Sequence, residues 1–406
     1  MKIAIVEPIS SGAALVKAAH RLGHEVFIIS YNKEDRKLPA FVQELASGII
    51  EFDTNNEQLF IEQVVKLHRE QALSAIISGN EYYVPVTAKA AAKVNLKGIN
   101  PDKVDNLRFK DQMRVNMQAA GLNNPDFRLI HGAEDIENLS EEMPFPCVLK
   151  PVGGAGSVHV CRVNDIGQLT EAYSQAQKDE RRELGNDIGT KMLLESYIQG
   201  PEYSVDGYVN NTGTHILAVT EKLLAREPYF VEMGHLVPAN IPTSVQADIE
   251  HYIKQTVACL GLDLGAFHAE IRLADKGPVL IEIGARLPGD KIVDLIQLAR
   301  GIDLAEITVQ LYLGQDDVQF PAQAQGYSGI TFFSAEHLQQ LSGVNGEDEL
   351  HQIPGYVEHQ LLKRPGENVP RLTDYRGRVA FAVFHHKEQQ GLVNSLNRAR
   401  QALSFY

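Results

Sequence analysis

Over the first hundred positions, short continuous apolar runs alternate with stretches of helical spacing. Lys2 to Val6 (KIAIV), Glu25 to Ser30 (EVFIIS) and Ser74 to Ser78 (SAIIS) have the length of buried strands. Gly12 to Leu22 (GAALVKAAHRL) and Leu59 to His68 repeat apolar residues every three or four positions, which predicts helices, and Gly23-His24 closes the first. Strands alternating with helices predict a parallel sheet covered on both faces. Ligands of such sheets sit at the carboxyl ends of the strands. Two loops are therefore candidates: Ser10-Ser11-Gly12 after the first strand and Gly79-Asn80-Glu81 after SAIIS.

The pattern changes past residue 100. Residues 101–124 are charged and helical in spacing and connect the first unit to the next. A strand, Cys147 to Pro151 (CVLKP), follows Pro144-Phe145-Pro146, and residues 167–192 are polar with helical spacing. The strand MLLESYI and several strand-like runs reach Val219, and a helix spans Val245 to Leu260. Two strands around a tight turn come next, and strand signals recur at GITFF, YVEHQLL and RVAFAVF.

Composition narrows the picture. A chain of 406 residues suggests two or three domains, and 44% hydrophobic with 22% charged residues is globular rather than disordered. The net charge of −14 argues against a general nucleic-acid binder but leaves room for a local phosphate site. Cys147, Cys161 and Cys259 have no paired spacing, so neither a disulfide scaffold nor a Cys₄ zinc site is expected. No apolar run approaches the ~18 residues of a membrane helix. MKIAIVEP reads as a strand rather than a signal peptide, so a soluble cytoplasmic protein with no membrane partner is expected.

The first strand–helix turn, EPISSGAAL, lacks G-x-G-x-x-G, so a dinucleotide is not expected there; it reads as a serine-rich helix cap. Lys150 ends a strand and is followed by Gly153-Gly154-Ala155-Gly156-Ser157. Such a loop lets backbone N–H groups approach phosphate, with the lysine as a point charge. It is neither a Walker A loop nor a kinase signature, and a glycine-rich hairpin with a solvated lysine fits it equally. In Glu195-Ser196-Tyr197-Ile198-Gln199-Gly200-Pro201-Glu202, a strand ends in a Gly-Pro turn. Its backbone could border an adenine edge and Glu202 could accept from a ribose; an ordinary surface turn fits as well.

Residues 266–290 (AFHAEIRLADKGPVLIEIGARLPGD) are the most informative. Alternation places Glu270 and Arg272 on one strand face, and Leu280, Glu282, Gly284 and Arg286 on one face of the next. The turn Asp275-Lys276-Gly277 lies at the centre of a pairing in which Glu270 faces Glu282. Facing carboxylates repel unless a cation lies between them. Magnesium fits, since it takes one or two carboxylates plus substrate phosphates. The alternative is a hairpin whose glutamates pair with Arg272 and Arg286.

Lys110 in RFKDQMR, Lys150 in VLKPVGGAGS, ESYIQGPE, and HAEIRL with LIEIGAR occur in an order that resembles the ATP-grasp superfamily over roughly residues 100–300. The resemblance implies an N-terminal Rossmann-like α/β parallel-sheet domain (1–100) followed by an ATP-grasp fold of two α+β subdomains. Residues 101–205 would hold linker helices and the central subdomain with its glycine-rich loop. Residues 206–406 would hold the C-terminal subdomain, the metal hairpin and a C-terminal extension. It further implies that Lys110 and Lys150, and more loosely Lys222 in VTEKLL, contact ATP phosphates. Gly154, Gly156 and Ser157 would close over them. Glu195, Tyr197 and Ile198 would border adenine, Glu202 would meet ribose, and Leu280 would pack on the adenine ring. Glu270 and Glu282 would bridge magnesium as a pair of ions, with manganese as a substitute. Many members follow with an asparagine as a further ligand, where this chain has Gly284.

Within the superfamily, SGNE (78–81), GHLVPA (234–239) and EIGARLPGD (282–290) look most like the bacterial L-amino acid ligases, which make dipeptides. That likeness implies Glu81 near a substrate amino group, with His235 and Arg286 as catalytic residues near the reacting carboxylate. His235, flanked by Gly and Pro, is expected on a loop. Asp290 near the acyl pocket, or Asp374 in TDYRGRVAF, could favour a basic side chain such as arginine, although a solvated surface aspartate is the preferred reading of each. Small amino acid substrates and a homodimer are expected. The competing expectations are a purine-pathway type ATP-grasp ligase, which calls for an Arg/Lys cluster in the first domain, and a non-catalytic nucleotide binder on this scaffold.

Overall fold

A computed structural model of the chain describes residues 1–139, 143–188, 191–319 and 324–406. Lys2–Val6, Glu25–Ser30, Gly48–Glu51 and Ala75–Ser78 form a four-stranded sheet, in the order third, second, first, fourth. All of its pairings are parallel. Both faces are buried, as the continuous apolar runs require. Ile3, Ile5, Val26, Ile28 and Ile77 pack beneath helix Ala13–Arg21. Ala4, Val6, Phe27, Ile29 and Ile76 pack beneath Glu57–Gln71 and Val84–Lys93.

The two expected ligand loops meet at the carboxyl end of this sheet. A Cβ on Gly12 would lie 1.9 Å from the Gly79 carbonyl oxygen, and one on Gly79 would lie 2.7 Å from Pro8 Cα. Only glycine allows the loops to cross this closely.

A second sheet is antiparallel, in the order Phe127–Ile130, Met192–Ser196, Cys147–Pro151, Cys161–Val163. It has its own small core with helix Ile166–Lys178, including Leu149, Leu169 and Leu194. The third sheet has eight antiparallel strands. Their order is Gly277–Gly284, Gly265–Ala274, Glu202–Asn210, Gly213–Leu224, Glu232–Val237, Tyr327–Ser334, Arg378–His386, Tyr356–Leu361. Helices Lys110–Ala119 and Thr243–Leu260 cover one part of it, and Gln389–Ala402 covers another. The core beneath helix Ala13–Arg21 runs on without a break into Leu295, Leu304, Ile330 and Val383. The first sheet and the C-terminal half of the chain therefore share one apolar interior. Among the described residues no helix is long and apolar enough to cross a membrane.

Several elements differ from expectation. Residues 101–124 are a 3₁₀ turn, Val104–Leu107, and a helix, Lys110–Ala119, rather than one helix. The polar stretch 167–192 stops being helical at Lys178 and continues as a short hairpin, Arg182–Glu183 with Asn186–Asp187. His235 lies on strand Glu232–Val237, opposite Lys222, and not on a loop. Gly234 lies within this six-residue strand, where a Cβ would stand 2.7 Å from the Ile330 carbonyl oxygen, and Pro238 follows its end; the strand is buried on both faces at His235 and Leu236.

Candidate active site

The three sheets surround one cleft of about 420 Å³. Of the residues singled out in the sequence for ATP, metal, catalysis or substrate, Asp374 lies outside it, and of the rest all but Leu280 line it: Glu81, Lys110, Lys150, Gly154, Gly156, Ser157, Glu195, Tyr197, Ile198, Glu202, Lys222, His235, Glu270, Glu282, Arg286 and Asp290.

Leu280 is the exception, and the cause is one extra residue. The hairpin turns over Asp275-Lys276, with Ala274 opposite Gly277 and Ile271 opposite Leu280. Past that point the register slips by one, and Glu270 faces Glu282, as the spacing predicts. Ile281 is the bulged residue. Leu280 is fully buried with Tyr252 and Ile283 on the far side of the sheet, and its N–H donates to the Tyr252 hydroxyl at 2.8 Å. Ile281 takes the place on the cleft that plain alternation gave to Leu280. Its carbonyl accepts from Arg114 Nη2 at 2.6 Å and from Lys150 Nζ at 3.2 Å.

Each cleft lysine is held by carboxylates. Lys110 Nζ is 2.7 Å from Glu282 and donates to the Gly154 carbonyl at 2.9 Å. Lys150 Nζ is 2.7 Å from Glu195, whose other oxygen receives Arg114 Nε at 2.6 Å. Glu195 is therefore a buried counter-ion to two cations, more than a border to a base. Burial pushes the Lys150 ammonium down to about 8, despite Glu195. Lys222 lies among Glu270 at 2.7 Å and Glu202 and Glu232 at 3.1 Å. Burial opposes its charge, but the three carboxylates hold its ammonium well above the ordinary lysine value.

Glu270 also contacts His268, a residue the sequence reading passed over. His268 Nδ1 is 2.6 Å from buried Asp206, and Nε2 is 3.2 Å from Glu270. Burial disfavours its charge, yet Asp206 and Glu270 raise it to about 9, so it is an imidazolium at neutral pH. Strand alternation from Glu270 back to His268 was the available signal.

Glu270 and Glu282 suit a hard divalent cation. They are facing oxygen donors, and at present lysine ammonium groups supply the positive charge beside them. No group of three His, Cys, Asp or Glu side chains gathers as a metal cage among the described residues. Magnesium requires none, since phosphate and water complete its shell. At Gly284 a Cβ would come within 3.4 Å of Glu81 and 3.3 Å of Arg286, so the missing side chain leaves room for that pair.

At the far end, Arg286 Nε donates to Glu81 at 2.8 Å, with Arg108 at 3.7 Å from the same carboxylate. Burial would raise the Glu81 carboxyl, but Arg286 and Arg108 hold it below the usual range. Asp290 is gripped by both terminal nitrogens of Arg378, at 2.6 and 3.0 Å, and lies 3.2 Å from His235 Nε2. Asp374 takes Arg376 on both oxygens and caps the following turn. Both acids expected to meet a basic substrate side chain are thus already paired with an arginine of this chain. Among the described residues, His235 Nδ1 is buried with no hydrogen-bond partner.

At the other end, Tyr197 stacks on Phe230 at 6.5 Å, and the Arg272 guanidinium lies over both rings. Arg272 also donates to the Ile198 carbonyl and to Glu202. The glycine-rich loop is fastened by Ser157 Oγ donating to the Phe230 carbonyl and by Tyr375 N–H donating to that of Gly156. Phe230, Glu232, Tyr375 and Arg378 were not legible as site residues, because they arrive from strands and loops far along the chain.

A parallel-sheet domain, a small antiparallel sheet bearing a glycine-rich loop, and a large sheet bearing paired carboxylates over one cleft define the ATP-grasp class. Comparison with known proteins agrees. The ATP-grasp N-terminal domain model matches residues 16–98, the ATP-grasp domain model residues 143–294, and the L-amino acid ligase C-terminal domain 2 model residues 331–406. The chain belongs to the ATP-grasp superfamily of ligases and lies close to the L-amino acid ligases within it. It is 25% identical to alanine–anticapsin ligase of Bacillus subtilis, over 76% of this chain and 67% of that enzyme. It is 26% identical to carnosine synthase 1 of Gallus gallus, over 80% of this chain but only 37% of that longer protein. The crystal structure of L-amino acid ligase from Bacillus licheniformis superposes with a TM-score of 0.84 at 21% identity, covering 100% of this chain and 98% of that one.

Proposed function

We propose that the protein joins the carboxylate of one amino acid to the amine of a second, at the expense of ATP. The observation that carries this reading is the order of charge along the cleft. Tyr197, Phe230 and Glu202 form an aromatic and ribose-suited end. Three buried lysines and two facing carboxylates form the middle. Arg286 with Glu81 forms the substrate end.

In this reading a substrate carboxylate oxygen attacks the γ-phosphorus, the bond to the bridging oxygen breaks, and ADP leaves. Lys110, Lys150 and Lys222 hold the phosphates. Magnesium, held by Glu270 and Glu282, would neutralise phosphate charge when bound. The amine nitrogen of the second substrate then attacks the acyl carbon. The C–N bond forms, the C–O bond to phosphate breaks, and the amine gives up a proton. Arg286 stabilises the oxyanion of that step, an effect of roughly 3–4 kcal/mol per donor. Glu81, already paired to Arg286, orients the amine. His235 stands at the same end, fixed by Asp290. The glycine-rich loop excludes water that would hydrolyse the acyl phosphate.

The lining contributed by the N-terminal domain argues against a phosphorylated ribose. Among the described residues it presents Asp35 and Glu81 and gathers no Arg/Lys cluster at the Ser10 and Gly79 loops. Pooled amino acids with ATP and magnesium are expected to give phosphate release and a condensed product by mass spectrometry. Pairwise mixtures then identify the acid and the amine. ATP turnover with no condensed product from any pool would overturn the reading.

A second test uses Lys150. Its ammonium titrates at about 8, so it is partly neutral at pH 8–9. ATP phosphates would restore its charge, so binding is expected to take up protons in that range. Calorimetry in buffers of different ionisation enthalpy measures the uptake, which Lys150→Met should abolish. In the free protein the same group makes folding more favourable as pH climbs from about 8 toward the ordinary value of 10.5, because the unfolded chain holds that proton more tightly.

A further inference from the structure

The short hairpin Arg182–Glu183 with Asn186–Asp187 belongs by sequence to the region carrying the glycine-rich loop, yet its tip is seated in the N-terminal domain. Leu184 is 7% exposed and packs within the N-terminal core that contains Phe60 and Tyr83. Four hydrogen bonds cross the junction, the longest from the Tyr83 hydroxyl to the Leu184 carbonyl at 3.4 Å. Leu184 N–H donates to Asp35 Oδ2 at 2.6 Å, Asn55 Nδ2 donates to the Leu184 carbonyl at 2.9 Å, and the Tyr82 hydroxyl donates to Glu183 Oε2 at 2.7 Å. Two-residue strands cannot hold themselves together in water. The seat, rather than the ladder, fixes this hairpin.

The turn shows what the tip is for. Leu184 has φ 50° and Gly185 φ 77°, the two positive values of a type I′ turn. Asparagine or glycine favours the first of these positions, and leucine is strained there. Gly185 is dictated by the seat as well as the turn, since a Cβ would stand 2.5 Å from Asn55 Nδ2. A strained leucine persists when what it contacts matters more than the turn. Tyr82, Glu183 and Leu184 all face the substrate end of the cleft, beside Glu81.

We propose that Leu184 is a positioning residue: its side chain latches the central subdomain onto the N-terminal domain and so holds Glu183 and Tyr82 as the wall that closes the substrate end. In the ligase reading the base of ATP lies at the Tyr197–Phe230 end of the cleft. The activity arm of the test rests on the ligase reading; the proteolysis arm does not.

Leu184→Gly relieves the turn and removes the latch. Trypsin cleavage after Arg182, followed by mass spectrometry, is expected to quicken by about tenfold, the equivalent of part of one lost buried leucine. Leu184→Met, which refills the seat, should return the wild-type rate. With substrates identified, Leu184→Gly should raise KM for the amine several-fold while leaving KM for ATP unchanged, and release more phosphate than product as water reaches the acyl phosphate. An unchanged cleavage rate in Leu184→Gly would overturn the latch. So would faster cleavage matched by equal acceleration within residues 2–78, which would mark general loosening. If the wild type shows no amino-acid-dependent phosphate release, the ligase reading falls and cleavage still decides the latch.

Discussion

Glu282→Gln is expected to lower amino-acid-dependent phosphate release by about a thousandfold while the thermal midpoint stays close to that of the wild type. Glu282 is 20% exposed and makes one ion pair, to Lys110 at 2.7 Å. Glutamine has the same shape, and its carbonyl oxygen still accepts from that lysine, so the hairpin keeps its packing. What disappears is half of the charge that faces a divalent ion across the Glu270–Glu282 pair. Divalent ions supply several kcal/mol of charge stabilisation in phosphoryl transfer, and each ~1.4 kcal/mol is tenfold in rate. Phosphate release and calorimetry on the same preparation check both halves. Turnover within tenfold of the wild type would remove Glu282 from the proposed metal site. Glu270 is a poorer choice for this experiment, since it also holds Lys222 and His268 and its loss would disturb the fold.

The largest effect on stability is expected from Lys222→Met, at about 3–5 kcal/mol near neutral pH, the usual loss when one partner of a buried ion pair is removed. Lys222 is 1% exposed at its side chain and sits among three carboxylates. Without it Glu202 keeps Arg272 and Glu270 keeps His268, but Glu232 keeps no ion pair among the described residues. The pH dependence has a definite sign. Burial would raise Glu270, but Lys222 and His268 hold it well below the usual carboxylate range. A depressed carboxylate adds stability above its unfolded pKa and loses it as pH falls through the folded value. The gap between wild type and variant should therefore be full at pH 7 and narrow as pH drops below about 4. Urea titrations at pH 7 and at about pH 3, inside that window, measure it. An equal gap at both would rule out the carboxylates as its source.

Much of the site was legible because its chemistry is carried by short, regular pieces. The buried runs at Lys2–Val6 and Ala75–Ser78 give the parallel sheet, and the glycines at 12 and 79 mark where its loops meet. The Glu270–Glu282 pairing follows from strand alternation about one turn. Leu280 was misplaced because a bulge breaks that alternation without any signature residue. His235 was misread because a glycine also sits inside a buried strand where a neighbouring backbone comes close, and a proline also follows a strand's end. Phe230, Tyr375 and Arg378 were illegible for a different reason: long-range pairing brings them to the cleft, and nothing local announces it. Helices Ile292–Arg300, Leu304–Tyr312 and Gln389–Ala402 were likewise unforeseen, although the apolar faces of the first two complete the shared interior and that of the third fills a separate C-terminal core.

The bulge at Ile281 also has a bearing on ancestry. Delete that residue on paper, and Leu280 and Glu282 become neighbours in an ordinary ladder, still opposite Ile271 and Glu270 and still pointing to opposite sides. One inserted codon would thus have been enough to add an apolar side chain to the cleft and to turn a carbonyl toward Arg114 and Lys150. No other residue of the hairpin would have had to change sides.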